Sequence, residues 1–221
     1  MAVVRGYWLY GLGVGLLALA CGGDGGGGTG PCTPGGATQL VKSGDGQIWY
    51  VNNPLPAPLS VTARDANNCP VPGVVVNWAV GSGGGGVNPA QSTTSAAGVA
   101  TTTDSVGATS PQTVTATFTG LPAPVTFTAT ASAPPTAGAV DVRDNNFNPQ
   151  SVVVQTGGAV TWTWAGQNIH NLTFAGGPAP QPANQGNQVT GTAQRTLTTV
   201  GTYSYTCTNH AGMNGTVKVV H

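Results

Sequence analysis

Charged residues are scarce in this chain. Six Lys and Arg balance six Asp over 221 residues, so the net charge is zero, and Glu is absent. A nucleic-acid partner would need clustered Lys and Arg to neutralise its phosphates. The chain also has no Glu and very few Lys, residues from which helices are commonly built, whereas Gly and Thr are abundant. The composition therefore excludes a nucleic-acid partner and predicts an all-β fold.

The amino-terminal segment has the pattern of an export signal. Arg5 precedes an apolar run from Tyr7 to Ala20, which is too short to cross a bilayer as a helix of roughly 20 residues. We predict a signal peptide at residues 1–20. The next residue, Cys21, stands in a context that resembles the bacterial lipobox, in which the cysteine is lipidated. Ordinary signal peptidase cleavage fits the same run.

A glycine-rich stretch follows at residues 21–35. It contains "GGDGGGGTG", a flexible tether of the kind that a membrane-anchored domain needs. We therefore predict an exported protein, periplasmic or on the outer surface, that is anchored in a membrane through a lipid on Cys21. Free secretion is the alternative.

The other cysteines number three, so they cannot all pair within one chain. Cys32 lies in a Pro- and Gly-rich entry segment and Cys69 lies in the turn "NNCPVPG". In an oxidising compartment these two could form a disulfide. They could also be two unpaired surface thiols. Cys207 needs a different explanation.

Residues 36–133 predict a β-sandwich. Short β-rich segments such as "LSVTARD" and "VVVNWAV" are separated by turn signals at the spacing expected of this fold. The stretches "GDGQ", "PLSVTARDANNCPVPGVVVNWAV" and "STTSAAGVATT" resemble the bacterial immunoglobulin-like domains of invasin- and intimin-type surface proteins. This resemblance implies a spacer or adhesion module. Alternation predicts these inward-facing side chains: Leu59, Val61, Ala63, Val74, Val76 and Trp78.

A proline-containing linker, residues 134–138, separates this segment from residues 139–221. The second segment again alternates, in "SVVVQTG", "AVTWTWAG" and "HNLTF". The sequence therefore predicts two β-sandwich domains in tandem.

The second segment contains a set of metal-binding residues. Cys207, His210 and Met213 form C-x2-H-x2-M on the loop before the last strand, and His170 begins another strand. A thiolate, two imidazoles and a weak thioether select copper and make a trigonal electron-transfer site. Zinc prefers further thiolates or a carboxylate. We predict one mononuclear copper site.

The motifs "NNFNPQSVVVQTGGAVTWTW", "HNLTF" and "YSYTCTNHAGMNGTVKVV" resemble the cupredoxins, the blue copper family of plastocyanin and amicyanin. The resemblance implies type 1 copper with His170, Cys207 and His210 as equatorial ligands and Met213 as the axial one. It also implies that Asn171 ties the two ligand-bearing loops together by hydrogen bonding. Asn209 stands where many relatives have Pro. We expect the last residue, His221, to lie in a frayed tail.

These features predict a monomeric carrier of single electrons in the bacterial cell envelope, with a redox protein as its partner and the first domain as a spacer. We expect no enzymatic activity, because no His-x-His pairs for a trinuclear centre are present. The alternatives are copper delivery or resistance without electron transfer, and surface adhesion with an accessory copper site.

Overall fold

The computed structural model describes residues 32–221, which form eighteen strands. The predicted signal peptide and Cys21 lie outside the described residues. Within residues 32–221 no helix is long and apolar enough to cross a membrane. The all-β prediction is confirmed.

Nine strands form the first sandwich, in sheets of four and five. They are β1 (Gln39–Ser43), β2 (Gln47–Tyr50), β3 (Leu59–Arg64), β4 (Val75–Ser82), β5 (Gly85–Asn88), β6 (Gln91–Thr93), β7 (Val99–Val106), β8 (Gln112–Thr117) and β9 (Val125–Ser132). The sheet orders are β1-β3-β7-β5 and β2-β9-β8-β4-β6. Pairing is antiparallel except between β2 and β9. The likeness to immunoglobulin-like domains stays a prediction.

The core of the first sandwich follows the alternation of the sequence. Leu59, Val61 and Ala63 are buried on β3, and Val76 and Trp78 are buried on β4. Successive side chains of a strand point to opposite faces, so each strand contributes every second residue to the core. Val74 precedes β4 and is only partly buried against this cluster.

The other nine strands form the second sandwich. They are β10 (Ala137–Arg143), β11 (Asn146–Asn148), β12 (Ser151–Gln155), β13 (Gly158–Trp164), β14 (His170–Gly176), β15 (Gln185–Gln188), β16 (Gly191–Leu197), β17 (Gly201–Thr206) and β18 (Asn214–Val220). The sheet orders are β11-β10-β13-β16 and β12-β18-β17-β14-β15. The β10–β13 and β12–β18 pairs are parallel.

An aromatic cluster fills the second sandwich. The Tyr205 ring lies 5.4 Å from that of Trp162 and 4.8 Å from that of Phe147, both edge to face. Edge-to-face packing is a favoured arrangement of aromatic rings. A Cβ at Gly215 on the neighbouring strand would overlap the Tyr205 ring, so this position requires glycine. The cluster therefore fixes the end of β17, immediately before Cys207.

The connection between the sandwiches is short. β9 ends at Ser132 and β10 begins at Ala137, so the last two residues of the expected linker already belong to a strand. The expectation of a frayed tail at His221 is wrong. Its N–H donates to Asn53 Oδ1 at 3.0 Å and its carbonyl accepts from Asn53 Nδ2 at 3.2 Å. Asn53 is 3% exposed, so a buried side chain holds the backbone of the last residue in place.

The cysteines of the described chain differ in oxidation state. Cys32 and Cys69 are each disulfide-bonded, whereas Cys207 is a free, buried thiol. Disulfides persist in oxidising compartments and are rare in reducing ones. The protein therefore belongs to an oxidising compartment, and Cys207 is available for another role.

The first sandwich contains a buried carboxyl group on β7. Asp104 is 1% exposed, and its Oδ1 accepts from Gln112 Nε2 at 2.7 Å. Its Oδ2 has no hydrogen-bond partner among the described residues. Burial raises the pKa of Asp104 to about 6 from an ordinary value of 3.8, and the Gln112 hydrogen bond opposes this shift only in part. Ionised Asp104 therefore destabilises the folded first sandwich.

We predict that Asp104→Asn stabilises the first sandwich at pH 7. Because the folded-state pKa is raised, the contribution of Asp104 to stability is greatest below pH 4, falls between pH 4 and 6, and is constant above that range. The loss is about 3 kcal/mol. Hydrogen exchange of the β7 and β8 amides, compared between variant and wild type at pH 4 and at pH 7, measures this sandwich separately. The exposed control Asp141→Asn should leave β7 and β8 unchanged; equal effects of the two variants would refute the explanation.

Candidate metal centre

The pairing of β14 with β17 places two of the predicted ligands at one edge of a sheet. Thr173 is opposite Thr206 in this antiparallel pair, so the start of β14 lies beside the end of β17. His170 is the first residue of β14, and Cys207 follows the last residue of β17. Their side chains are 0% and 2% exposed, respectively. Two donors distant in sequence therefore meet inside the protein.

Three donor groups converge at this edge. Cys207 Sγ lies 3.7 Å from His170 Nδ1 and 3.7 Å from His210 Nδ1. One ligand atom from each residue lies within 4.8 Å of the others. The two imidazole centroids are 4.6 Å apart. The structure thus brings together the three residues that the sequence predicts as equatorial ligands.

These distances fit a single ion. Two donors that are each about 2.0–2.3 Å from one metal, at about 120°, lie roughly 3.5–4.0 Å from each other. Both sulfur–nitrogen distances fall in this range. One thiolate with two imidazoles is the donor set that copper prefers in trigonal sites. The residues present therefore suit copper.

The loop from Cys207 to Met213 is closed by backbone hydrogen bonds. Cys207 N donates to Met213 O at 3.0 Å, and Met213 N donates to His210 O at 3.2 Å. Gly212 has a φ of +80°, a conformation that other residues adopt at a cost. The Met213 side chain is 1% exposed and belongs to the same core cluster as Cys207. The loop therefore directs both sulfur-containing side chains inward.

Asn171 joins the two ligand-bearing segments. Its Oδ1 accepts from Thr208 N at 3.0 Å, and its Nδ2 donates to Thr208 Oγ1 at 2.8 Å. Its backbone N–H points to Cys207 Sγ at 3.5 Å. Asn171 therefore contacts both the ligand loop and the sulfur donor.

Asn187 on β15 is a residue that the sequence analysis missed. Its Oδ1 accepts from Asn171 Nδ2 and from Asn209 Nδ2, both at 2.9 Å. Asn209 also donates to Ile169 O at 3.4 Å. One amide oxygen thus links the segments that contain all three donor groups. No spacing pattern marks Asn187 in the sequence, because its partners are distant along the chain.

Asp144, between β10 and β11, is a second missed residue. Its Oδ1 accepts from the backbone N–H groups of Gln167 and Asn168, both at 2.8 Å. These bonds, that from Asn168 being the strongest influence, hold the pKa of Asp144 below its usual value. The same oxygen lies 3.6 Å from His170 Nε2. Asp144 therefore anchors the loop that leads into the first ligand.

Comparison with known proteins agrees with this geometry. The profile of the copper-binding proteins of the plastocyanin/azurin family matches residues 136–220. Amicyanin-alpha of Methylorubrum extorquens is 34% identical over 92 residues, which cover 39% of this chain and 75% of that protein. The chain belongs to the plastocyanin/azurin family. Its cofactor is type 1 copper, as the sequence predicts, and its function is of the copper-binding, electron-carrying kind.

Two solved structures are also similar to the chain. Plastocyanin from Dryopteris crassirhizoma is 28% identical, covering 37% of this chain and 99% of its own, with a TM-score of 0.32. A purple cupredoxin from Nitrosopumilus maritimus is 20% identical, covering 38% of this chain and 99% of its own, with a TM-score of 0.34.

We predict that Asn187→Ala loosens the copper-binding loop without abolishing the site. Two hydrogen bonds to one acceptor are lost, so the apo-protein should be destabilised by about 1 kcal/mol, and copper should dissociate several-fold faster. Denaturant unfolding and transfer of copper to a chelator measure the two effects. Asn168→Ala is a matched control, because the Asn168 side chain lines the same surface and bonds to no described residue. If the two variants have the same unfolding free energy and release copper at the same rate, Asn187 has no such role.

Proposed function

We propose that this protein carries single electrons in the bacterial cell envelope, with copper bound by His170, Cys207, His210 and Met213. The observation that carries the proposal is the convergence of one buried thiol and two imidazoles at mutual distances that suit one ion. When bound there, copper supplies a one-electron couple between Cu(II) and Cu(I). The chain's own residues hold the donors and exclude water.

Fixed donor positions favour electron transfer over copper delivery. His170 and Cys207 are fully buried, and Asn171 bonds the loop between Cys207 and His210. A delivery protein must open its site to release the metal, whereas an electron carrier benefits from a site that does not rearrange. The hydrogen bonds that close the ligand loop therefore support the role of electron carrier.

His210 is the proposed point at which the electron leaves or enters. Its side chain is half-buried, unlike that of His170, and it reaches a surface cleft. Ile169 in this cleft is 52% exposed, and the other lining groups are uncharged amides. A small, uncharged surface suits the brief contacts of redox partners. The cleft is lined by Gln167, Asn168, Ile169, Asn187, Asn209 and His210.

We propose that the first sandwich is a spacer and that Cys21 bears a lipid anchor. A tether of about ten residues has a reach of only about 17 Å. A folded domain between the tether and the copper domain would add further distance from the membrane. The oxidised state of Cys32 and Cys69 supports a location in the cell envelope.

We predict that Cys207→Ser abolishes the intense blue colour of the copper-loaded protein. The charge-transfer band requires a copper-bound thiolate, which a hydroxyl cannot replace. A visible spectrum after addition of copper, with electron paramagnetic resonance, is the measurement. Cys207 is the free thiol of the described chain, so loss of a disulfide does not complicate the variant. Blue colour in the variant would exclude Cys207 as the ligand.

We predict that Met213→Leu retains one copper per protein and raises its reduction potential. Leu has nearly the volume of Met, so the buried position should tolerate it at a cost below about 1.5 kcal/mol. Loss of a weak axial donor leaves Cu(II) less stabilised relative to Cu(I). Cyclic voltammetry measures the potential. An unchanged potential with normal copper content would show that Met213 is not a ligand.

A further inference from the structure

The far nitrogen of the His170 ring is buried beside a carboxylate. Nε2 has no hydrogen-bond partner within 3.5 Å among the described residues, and the side chain is 0% exposed. The nearby Asp144 Oδ1 lies at 3.6 Å. A buried N–H without an acceptor costs about 1–3 kcal/mol, so His170 requires an acceptor on this side of its ring.

Asp144 is held in place for this contact. Two backbone N–H groups, from Gln167 and Asn168, donate to the same oxygen at 2.8 Å. A Cβ at Gly166 would contact that oxygen and would lie 2.8 Å from Asp144 N. Only glycine therefore allows the loop before His170 to pass this close to the carboxylate. Two backbone N–H groups therefore hold the carboxylate oxygen that faces His170.

We propose that Asp144 is the positioning residue for His170, accepting the proton on Nε2 and so leaving Nδ1 as the metal-binding nitrogen. The proposal rests on the proposed copper site. A proton on Nε2 agrees with the geometry on the other side of the ring, where Nδ1 faces Cys207 Sγ at 3.7 Å. A carboxylate that accepts from a ligating histidine fixes its tautomer and raises its basicity. Cu(II), which gains more than Cu(I) from a basic donor, is then stabilised.

The first test needs no variant. Heteronuclear NMR of the 15N-labelled full chain in its apo form, at pH 8, identifies which nitrogen of each histidine bears the proton. We expect His170 to carry it on Nε2 and to exchange it slowly with water. A proton on Nδ1 of His170 would overturn the proposal, whatever the copper chemistry proves to be.

The second test uses Asp144→Asn with Asp141→Asn as its control. The amide oxygen of Asn can still accept from the backbone of the loop, so the fold is preserved while the carboxylate is removed. Asp141 lies on the adjoining strand and pairs with Arg143 at 2.7 Å, so its variant makes the same change of charge away from His170. Because Asn keeps the accepting oxygen and loses only its charge, we expect Asp144→Asn to speed exchange of the Nε2 proton about fivefold, as when a charge-assisted hydrogen bond becomes a neutral one.

Copper binding gives an independent readout. Competition with chelators should show that Asp144→Asn lowers the affinity for Cu(II) by about ten- to a hundredfold, with a smaller change for Cu(I). If its Cu(II) to Cu(I) affinity ratio stays within twofold of that of Asp141→Asn, Asp144 has no positioning role. If the wild-type protein binds no copper, the proposed function is wrong. The NMR measurement of the His170 tautomer in the apo-protein would still test the role of Asp144. Gly166→Ala, which displaces the carboxylate without changing charge, should reproduce the faster exchange.

Discussion

The antiparallel pairing of β14 with β17 is the constraint on which the copper site depends. It sets the start of one strand against the end of the other, so that His170 and Cys207 meet although 37 positions separate them. The aromatic cluster around Tyr205 holds the end of β17 from inside the sandwich. The remaining donors come from the loop between β17 and β18, whose two ends are fixed by the β17–β18 pairing. A slip of one residue in β17 would turn Cys207 away from His170, because alternate side chains point to opposite faces.

Amide side chains hold the ligand segments together. Asn171 bonds to Thr208 and to Asn187, and Asn187 also accepts from Asn209. Asn209 adds a contact to the backbone before His170. An amide supplies a donor and an acceptor without a charge, so it can satisfy backbone groups near a half-buried site without the desolvation cost of an ion. This choice agrees with the scarcity of charged residues in the whole chain. Asn209 contributes hydrogen bonds to the loop, where a proline would contribute a fixed backbone angle.

Much of the fold and the central donors could be predicted from the sequence. Alternation on β3 and β4 identified core residues such as Val61 and Trp78, because period-two burial is visible locally. The donor set was visible because Cys207 and His210 share one short loop. The roles of Asp144 and Asn187 could not be predicted from the sequence, because Asp and Asn are common in turns and the partners of these two residues lie in other segments. His221 was misjudged for the same reason, because its partner Asn53 is 168 positions away.

The acidic group next to His170 shows how a chain with few charges can still influence its metal. The domain has few other charged groups. The Asp144 carboxylate, 3.6 Å from the buried imidazole of His170, is therefore the main fixed charge that the ring experiences. The partial exposure of the Asp144 side chain lets the carboxylate remain solvated on its outer side, which lowers the cost of keeping it ionised. Its inner oxygen accepts from two backbone N–H groups, those of Gln167 and Asn168. The loop that contains Gln167 and Asn168 thus both supports the Asp144 carboxylate and leads into His170. The carboxylate and the imidazole therefore cannot move independently.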